Sequence, residues 1–219
     1  DERLIAMPVK ICYFLIRLIV VSLSVYAWGT LRTEGLNLDI FPTYFYFFLV
    51  IGSTLSDRIF YRGQKTEHKK EHEITSLYLA LFWYLNLIAP VVEYVHFLRS
   101  NLIITLLGTT LVVSGTVLRG LGLKTLGRFF SRDVETWENQ RIINTGIYKY
   151  IRHPAYAGNI LQTIGFPLVL NSYFSLLLAF LTICGFLWRI EVEEEFLCNK
   201  FPEYQRYILE TKRLIPKIW

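Results

Sequence analysis

Charged residues are scarce in this chain, at 19% of 219 positions, where a soluble domain carries about 25%. The three cysteines, Cys12, Cys184 and Cys198, are far apart and form no CxxC-type spacing, which speaks against a metal knuckle or a disulfide framework. Cys12 and Cys184 fall in apolar runs and read as small packing residues. There is no P-loop, no Ser-His-Asp set and no GxGxxG, since Gly120, Gly122 and Gly127 do not make that pattern. His68 and His72 have the i, i+4 spacing of a helical zinc pair, but they sit in the charged stretch from Glu67 to Glu73 with no apolar support. That stretch reads as solvated, and no metal is expected.

What the chain has is lipid-soluble sequence. Hydrophobic residues make up 53% and the mean hydropathy is +0.36, with the apolar residues in long blocks that a soluble core would not need. A bilayer core of about 30 Å takes about 20 apolar residues in a helix. Candidate spans run over Pro8–Trp28, Ile40–Leu55, Ile74–Phe97 and Leu102–Leu123. Two shorter apolar helices follow, Ala155–Leu170 and Phe174–Trp188, joined by Asn171-Ser172-Tyr173; their length leaves open whether each fully crosses. The first run lacks an A-x-A-like cleavage site and is followed by more spans, so it reads as a span and not as a leader.

The basic residues orient these spans, because cytoplasmic loops are rich in Lys and Arg. They cluster at the first span (Arg3, Lys10, Arg17), after the second (Arg58 to Lys70), after the fourth (Arg119 to Arg152) and in the tail (Arg189 to Lys217), whereas the other side holds Arg32 and Arg99. Six crossings put every basic cluster on one side. The expected fold is therefore all-α, a polytopic membrane bundle of about six helices with both termini cytoplasmic. Residues 1–123 form a four-helix transmembrane region, and residues 124–219 form a cofactor-binding and catalytic region with a helical hairpin and a cytoplasmic tail. Basic residues confined to short loops between apolar helices do not suggest nucleic acid as a partner; membrane lipids and a lipophilic substrate do fit.

Chemistry concentrates in the C-terminal third, which is polar where a simple anchor would be apolar. Pro154 suits the first position of a helix, whose N-terminal N–H groups favour an anion, with Arg152 and His153 beside it. Tyr156, Asn159 and Thr163, with Gln162 adjacent, make a polar stripe, and in a membrane helix such a stripe faces the bundle interior. Arg189 and Glu193 are i, i+4 neighbours on the last helix and can meet. Alone, that pair reads equally well as an interfacial ion pair with a snorkelling arginine. With Arg152 and His153 in the same interfacial layer, it marks a site. Glu93 and His96 read as interfacial.

These motifs resemble the isoprenylcysteine carboxyl methyltransferase family, together with the related membrane phospholipid methyltransferases. The resemblance covers roughly Leu126 to Trp219. It rests on Leu126-Gly127 with Phe130-Ser131, then Gln140-Arg141-Ile142-Ile143, then Gly146-Ile147-Tyr148. Arg152-His153-Pro154-Ala155-Tyr156-Ala157-Gly158 follows, then Arg189 with Glu193, and finally Arg213-Leu214-Ile215-Pro216. Order and spacing together carry it. Gln140 stands where the family usually has His, and Ile147 where Pro is common.

The resemblance implies that S-adenosyl-L-methionine is the cofactor, touching Gln140, Arg141, Ile142, Ile143, Tyr148, His153, Pro154, Ala155, Tyr156 and Glu193. Main-chain groups of Ile142 and Ile143 would suit the adenine edge, and Glu193, or its neighbour Glu194, the cofactor's ammonium. Arg189 is the expected catalytic residue, holding the substrate's anionic group, with Arg152 and Asn159 also at the substrate. The expected activity is methyl esterification of a carboxylate on a lipophilic, prenylcysteine-like substrate. Alternatives are N-methylation of an aminophospholipid, an NADPH-dependent sterol-type reduction, and a non-enzymatic scaffold. The reductase relatives usually have Glu after the motif's Gly and Ser before its Arg, where this chain has Asn159 and Ile151.

Overall fold

The computed structural model of the protein describes residues 41–60, 73–130, 142–216 and 218. Among these residues the structure is helical: α1 (Phe41–Phe60), α2 (Glu73–Phe97), α3 (Leu102–Leu126), α4 (Pro154–Val169), α5 (Ser175–Lys200) and α6 (Pro202–Glu210), with short 3-10 turns at Gly127–Phe129 and Gly146–Lys149. The first candidate span lies outside the described residues, as do Gln140, Arg141, His68 and His72.

Among the described residues, three helices are long and apolar enough to cross a membrane: Ile74–Phe97, Leu102–Leu126 and Ser175–Lys200. Their outward faces carry exposed Ile103, Val117, Leu177 and Phe180, a surface suited to lipid. In the last of them the apolar stretch was expected to end near Trp188, with Arg189 and Glu193 on the same helix beyond it, and α5 runs unbroken to Lys200. It continues because the first polar residues past Trp188 are matched inside the bundle, so there is no reason for the chain to turn out. Arg119 and Lys124, expected in a loop after the fourth span, lie within α3, and Arg58 lies within α1.

Local chemistry sets the helix ends. Asn101 caps α3, its Oδ1 accepting from Ile104 N at 3.2 Å, and Gly127 stops that helix at φ 55°, a backbone conformation that costs glycine little. Pro154 opens α4 and Pro202 opens α6. The start of α5 is capped from a distance. The Glu93 carboxylate accepts from Phe174 N (3.0 Å), Ser175 N (2.8 Å) and Ser175 Oγ (2.8 Å). Glu93, expected at the interface, is thus buried as a helix cap, offsetting the positive end of the α5 dipole.

The short α4 is the centre of the bundle, with ten of its sixteen residues buried. Its most extensive interface is with α3, and the sequence explains how closely the two approach. Gly108, Gly115 and Gly122 on α3 recur every seven residues and face Gly165, Gly158 and Ala155 on α4. A β-carbon at Gly115 would stand 2.6 Å from the Gly158 carbonyl, and one at Gly165 2.8 Å from the Gly108 carbonyl. Small residues at this spacing let membrane helices pack backbone to backbone. The interlock spans the expected division at residue 123. At the end away from the site, Tyr46, Val91, Tyr94, Val112 and Phe166 form the core, and Tyr46 donates to the Leu87 carbonyl at 2.7 Å, tying α1 to α2.

Candidate functional site

The site is a cavity of ≈ 690 Å³ walled by α1, α2, α4, α5, the end of α3 and α6. That is within the range of a small-molecule pocket. One end is polar, lined by Tyr148, Arg152, His153, Tyr156, Glu193, Tyr204 and Tyr207; the other is largely apolar, lined by Leu79, Ala80, Trp83, Leu87 and Phe186.

The polar end is built by the α4 N-terminus meeting the α5 C-terminal half. Tyr156 Oη donates to Glu193 Oε2 at 2.8 Å. Its neighbour Glu194 is a hub: Oε1 accepts from Arg152 Nε (2.7 Å) and contacts His153 Nε2 (3.0 Å), and Oε2 accepts from Arg213 Nε (2.9 Å). The hub draws the tail back under α4. Arg152 N donates to Lys212 O (2.7 Å), His153 N to Arg213 O (3.0 Å) and Lys212 N to Tyr150 O (3.3 Å). The Arg-His-Pro and Arg-Leu-Ile-Pro motifs, distant in sequence, are therefore one structural unit. Tyr207 Oη closes it by donating to the Tyr148 carbonyl at 2.6 Å. Burial raises the pKa values of Tyr148, Tyr204 and Tyr207 above the ordinary phenol range, with Glu193 adding to the rise at the first two. All three remain neutral hydroxyls at physiological pH.

Arg189 lies between the polar and apolar ends. It is 1% exposed, and its Nη1 donates to Thr75 Oγ1 and, at 3.1 Å, to Ser76 Oγ at the start of α2. Of the residues singled out from the sequence, Ile142, Ile143, Tyr148, Arg152, His153, Ala155, Tyr156, Asn159, Arg189 and Glu193 all line this one cavity. Pro154 lies behind the wall, its ring against Gly122. Arg152 borders the cavity, but its guanidinium also serves the hub and the carbonyls of Ile208 (3.1 Å) and Thr211 (2.6 Å). Of the polar stripe, Gln162 donates to Thr116 Oγ1 at 2.8 Å, and Thr163 is fully buried, its carbonyl accepting from Asn86 Nδ2 at 3.2 Å. No cluster of metal-ligating side chains occurs among the described residues.

Sequence reasoning missed the part of the wall built by α1 and α3. Asp57 on α1 and Arg119 on α3 form a two-point ion pair, Nε–Oδ1 2.7 Å and Nη2–Oδ2 3.0 Å, and both line the cavity with Ser53 and Thr54. The signal was present: an ionisable residue within a helix at membrane depth marks a site by default. It was hidden because the second span was expected to end at Leu55, before Asp57, and Arg119 was grouped with the basic residues after the fourth span. Tyr204, in the Phe-Pro-Glu-Tyr segment, was also missed as a lining residue.

Among the described residues, then, the chain is a helical bundle, three of its helices long and apolar enough to cross a membrane, around a cavity with both polar and apolar lining. Residues 106–199 match the model of the isoprenylcysteine carboxyl methyltransferase (ICMT) family, the family that the motifs resemble, and the resemblance holds. A Saccharomyces cerevisiae protein-S-isoprenylcysteine O-methyltransferase is 36% identical over 107 residues, 47% of this chain and 45% of that protein. The Arabidopsis thaliana protein-S-isoprenylcysteine O-methyltransferase B is 26% identical over 149 residues, 65% of this chain and 76% of that protein. The match thus spans less than half the length of the yeast relative. A solved structure of a eukaryotic intramembrane Ras methyltransferase, ICMT, overlaps 96% of this chain and 97% of its own at 15% identity and a TM-score of 0.48, a likeness too loose to place residues.

Proposed function

We infer that the protein is a multi-pass membrane methyltransferase that esterifies the carboxylate of a lipophilic, prenylcysteine-like acceptor, with S-adenosyl-L-methionine as the methyl donor. The observation that carries this reading is Arg189, a nearly fully buried arginine placed where a polar chamber meets an apolar one. The residues fit the cofactor. The Glu193 carboxylate lines the chamber beside the Tyr156 hydroxyl and suits an ammonium group, while Ile142 and Ile143 line the same chamber and offer main-chain partners for an adenine edge. When bound, the cofactor would supply an electrophilic methyl group on a sulfonium.

The chain's own residues then have a limited task. A carboxylate is ionised at neutral pH, so no general base is needed. Arg189, held by Thr75 and Ser76, orients the acceptor carboxylate through its planar fork. The aromatic and aliphatic walls exclude water and align the partners. An amine acceptor would need a base; His153, the nearest imidazole, has its Nε2 on Glu194 at 3.0 Å, which favours the carboxylate. In this reading the bundle crosses six times with both termini cytoplasmic. The polar chamber opens to the cytosol for the cofactor, and the acceptor's tail arrives from the bilayer. The part from residue 124 onward holds the cofactor, and the helices before it supply much of the acceptor wall.

Calorimetry on the detergent-purified protein tests the reading. Saturable binding of S-adenosylhomocysteine and none of NADPH is expected. Binding of NADPH alone would replace it with a reductase.

A further inference from the structure

Arg189 is buried on α5, but the Thr75 and Ser76 hydroxyls that hold it come from the first turn of α2, outside the residues 106–199 that match the family model. Threonine and serine side chains are short, so α2 has to run close to α5 at this level. Gly185, one turn before Arg189, allows it: a β-carbon there would run into the Tyr78 ring and meet Leu79 Cδ2 at 3.0 Å. Tyr78 fixes the register of the two helices. Its Oη donates to the Leu181 carbonyl at 3.0 Å, and its ring meets that of Trp188 edge-on at 6.1 Å.

The place of the two hydroxyls in the helix suits them to this task. Farther along a helix such a hydroxyl donates to the carbonyl four residues back, as Thr109, Thr110, Thr116 and Thr125 do on α3. In the first turn of α2, which starts at Glu73, that carbonyl lies outside the helix, so local bonding does not draw the hydroxyls away from a partner on another helix. Both accept from Arg189 Nη1. Neither carries charge, so neither offsets the charge that an acceptor carboxylate would meet. Neither takes the Nε–Nη2 edge, one that a carboxylate can meet with two parallel bonds. Tyr156, from α4, is a further neighbour of the guanidinium, but it also faces the cofactor chamber. Thr75 is 2% exposed and does not line the cavity, so it touches neither ligand.

Resting on the reading that Arg189 orients the acceptor carboxylate, we propose that the first turn of α2 belongs to the catalytic apparatus: Thr75 and Ser76 are positioning residues that fix the Arg189 fork before the acceptor arrives, and so set turnover and not cofactor affinity. A long arginine side chain has many rotamers. Two anchors on a neighbouring helix confine it beforehand, and a reacting group displaced by about 1 Å can lose about 100-fold in rate.

The test is a double-mutant cycle on methyl transfer. The acceptor is a carboxylic acid bearing a prenyl thioether tail. The variants are Thr75→Val, which keeps the shape and removes the hydroxyl, and Thr75→Ser, which keeps the hydroxyl, each in the wild-type and Arg189→Lys backgrounds. Thr75→Val should lower kcat about tenfold, the loss of one hydrogen bond to a charged group, with affinity for S-adenosylhomocysteine within about threefold of the wild type. Thr75→Ser should recover most of that turnover. In the Arg189→Lys background Thr75→Val should cost less than about threefold, because the fork it positions is gone. If Thr75→Val does not fold, read as loss of S-adenosylhomocysteine binding, Ser76→Ala and Ser76→Thr take their places in the cycle with the same expectations. Wild-type kcat in Thr75→Val, the same loss in Thr75→Ser, or an equal loss in both backgrounds would overturn the proposal. Wild-type turnover by Arg189→Lys alone would overturn it together with the assignment of Arg189 to the acceptor. Absence of methyl transfer by the wild type to any acceptor would instead overturn the methyltransferase reading beneath both.

Discussion

The glycine seam between α3 and α4 can be tested with a single methyl group. A β-carbon at Gly158 would stand 2.5 Å from the Gly115 carbonyl oxygen and 2.8 Å from both N and Cβ of Arg119. A relaxed C···O contact is about 3.3 Å, so the helices must separate by about 0.8 Å, and the obstacle is backbone, which cannot rotate away. Gly52 on α1 is the matched control, because a β-carbon there meets nothing within 4 Å. Both glycines lie inside helices, so Gly→Ala brings each about the same propensity gain of about 1 kcal/mol. The difference between the two variants isolates the clash. Overpacking of this kind costs about 1–3 kcal/mol, or about 2–12 °C at the roughly 2–4 °C per kcal/mol expected for a chain of this size. In thermal unfolding of the detergent-solubilised protein, Gly158→Ala should melt below Gly52→Ala by that interval. Because the displaced backbone includes Arg119, its pairing with Asp57 should loosen as well. A Gly158→Ala protein as stable as Gly52→Ala would refute the close packing.

Two further substitutions separate site from scaffold. Arg189→Lys should lower kcat roughly 10- to 100-fold, since a lysine cannot reproduce a two-point fork and small misplacements of a reacting group are costly. Affinity for S-adenosylhomocysteine, measured by calorimetry, should stay within about threefold; wild-type turnover would remove Arg189 from the acceptor site. Glu93→Ala should lower stability by about 1–2 kcal/mol through loss of the α5 cap, read as a fall in melting temperature. Its cofactor affinity should be unchanged, because Glu93 sits at the opposite end of α5 from Glu193.

The helices legible in the sequence were those whose boundaries coincide with a change in polarity. Ile74–Phe97 and Leu102–Leu123 were read to within a few residues of α2 and α3. The apolar span within α5 was bounded at Trp188 because composition registers Arg189, Glu193 and Glu194 as a reason to leave the membrane. It contains no sign that Thr75, Tyr156, Arg152 and Arg213 stand ready to match them. The polar end of the cavity was legible because its residues fall in ordered motifs, and the fold brings Ile142, Tyr148, His153, Tyr156 and Glu193 to one chamber. Asp57 and Arg119 were not, since they are 62 residues apart and nothing local announces the pairing. The seven-residue recurrence of Gly108, Gly115 and Gly122, answered by Gly158 and Gly165, was in plain view. It signals close helix packing and not a nucleotide loop.

Glu193 and Glu194 show why one position in a motif cannot be exchanged for the next. Successive residues on an α-helix point about 100° apart. That rotation turns Glu194 toward the tail, where it meets Arg152, His153 and Arg213, and turns Glu193 into the cavity beside Tyr156. A carboxylate holding two guanidiniums has little capacity left for a ligand's ammonium, so in the methyltransferase reading the cofactor falls to Glu193. The two isosteric substitutions should therefore fail differently. Glu193→Gln should keep its melting temperature and weaken binding of S-adenosylhomocysteine by about tenfold or more, the loss of one charge-assisted contact. Glu194→Gln leaves Arg152 buried without its counter-charge and takes from Arg213 the nearer of two carboxylates, the other being Glu191 at 4.0 Å. Removing one partner from such a cluster costs about 3–5 kcal/mol, so this variant should lose stability first and affinity only as the tail detaches. If Glu194→Gln instead stayed stable and lost the cofactor, the ammonium would belong to the hub, and the tail would be held by the main-chain bonds of Arg152, His153 and Lys212 together with the bonds of the Arg152 guanidinium to the Ile208 and Thr211 carbonyls and of Tyr207 to the Tyr148 carbonyl.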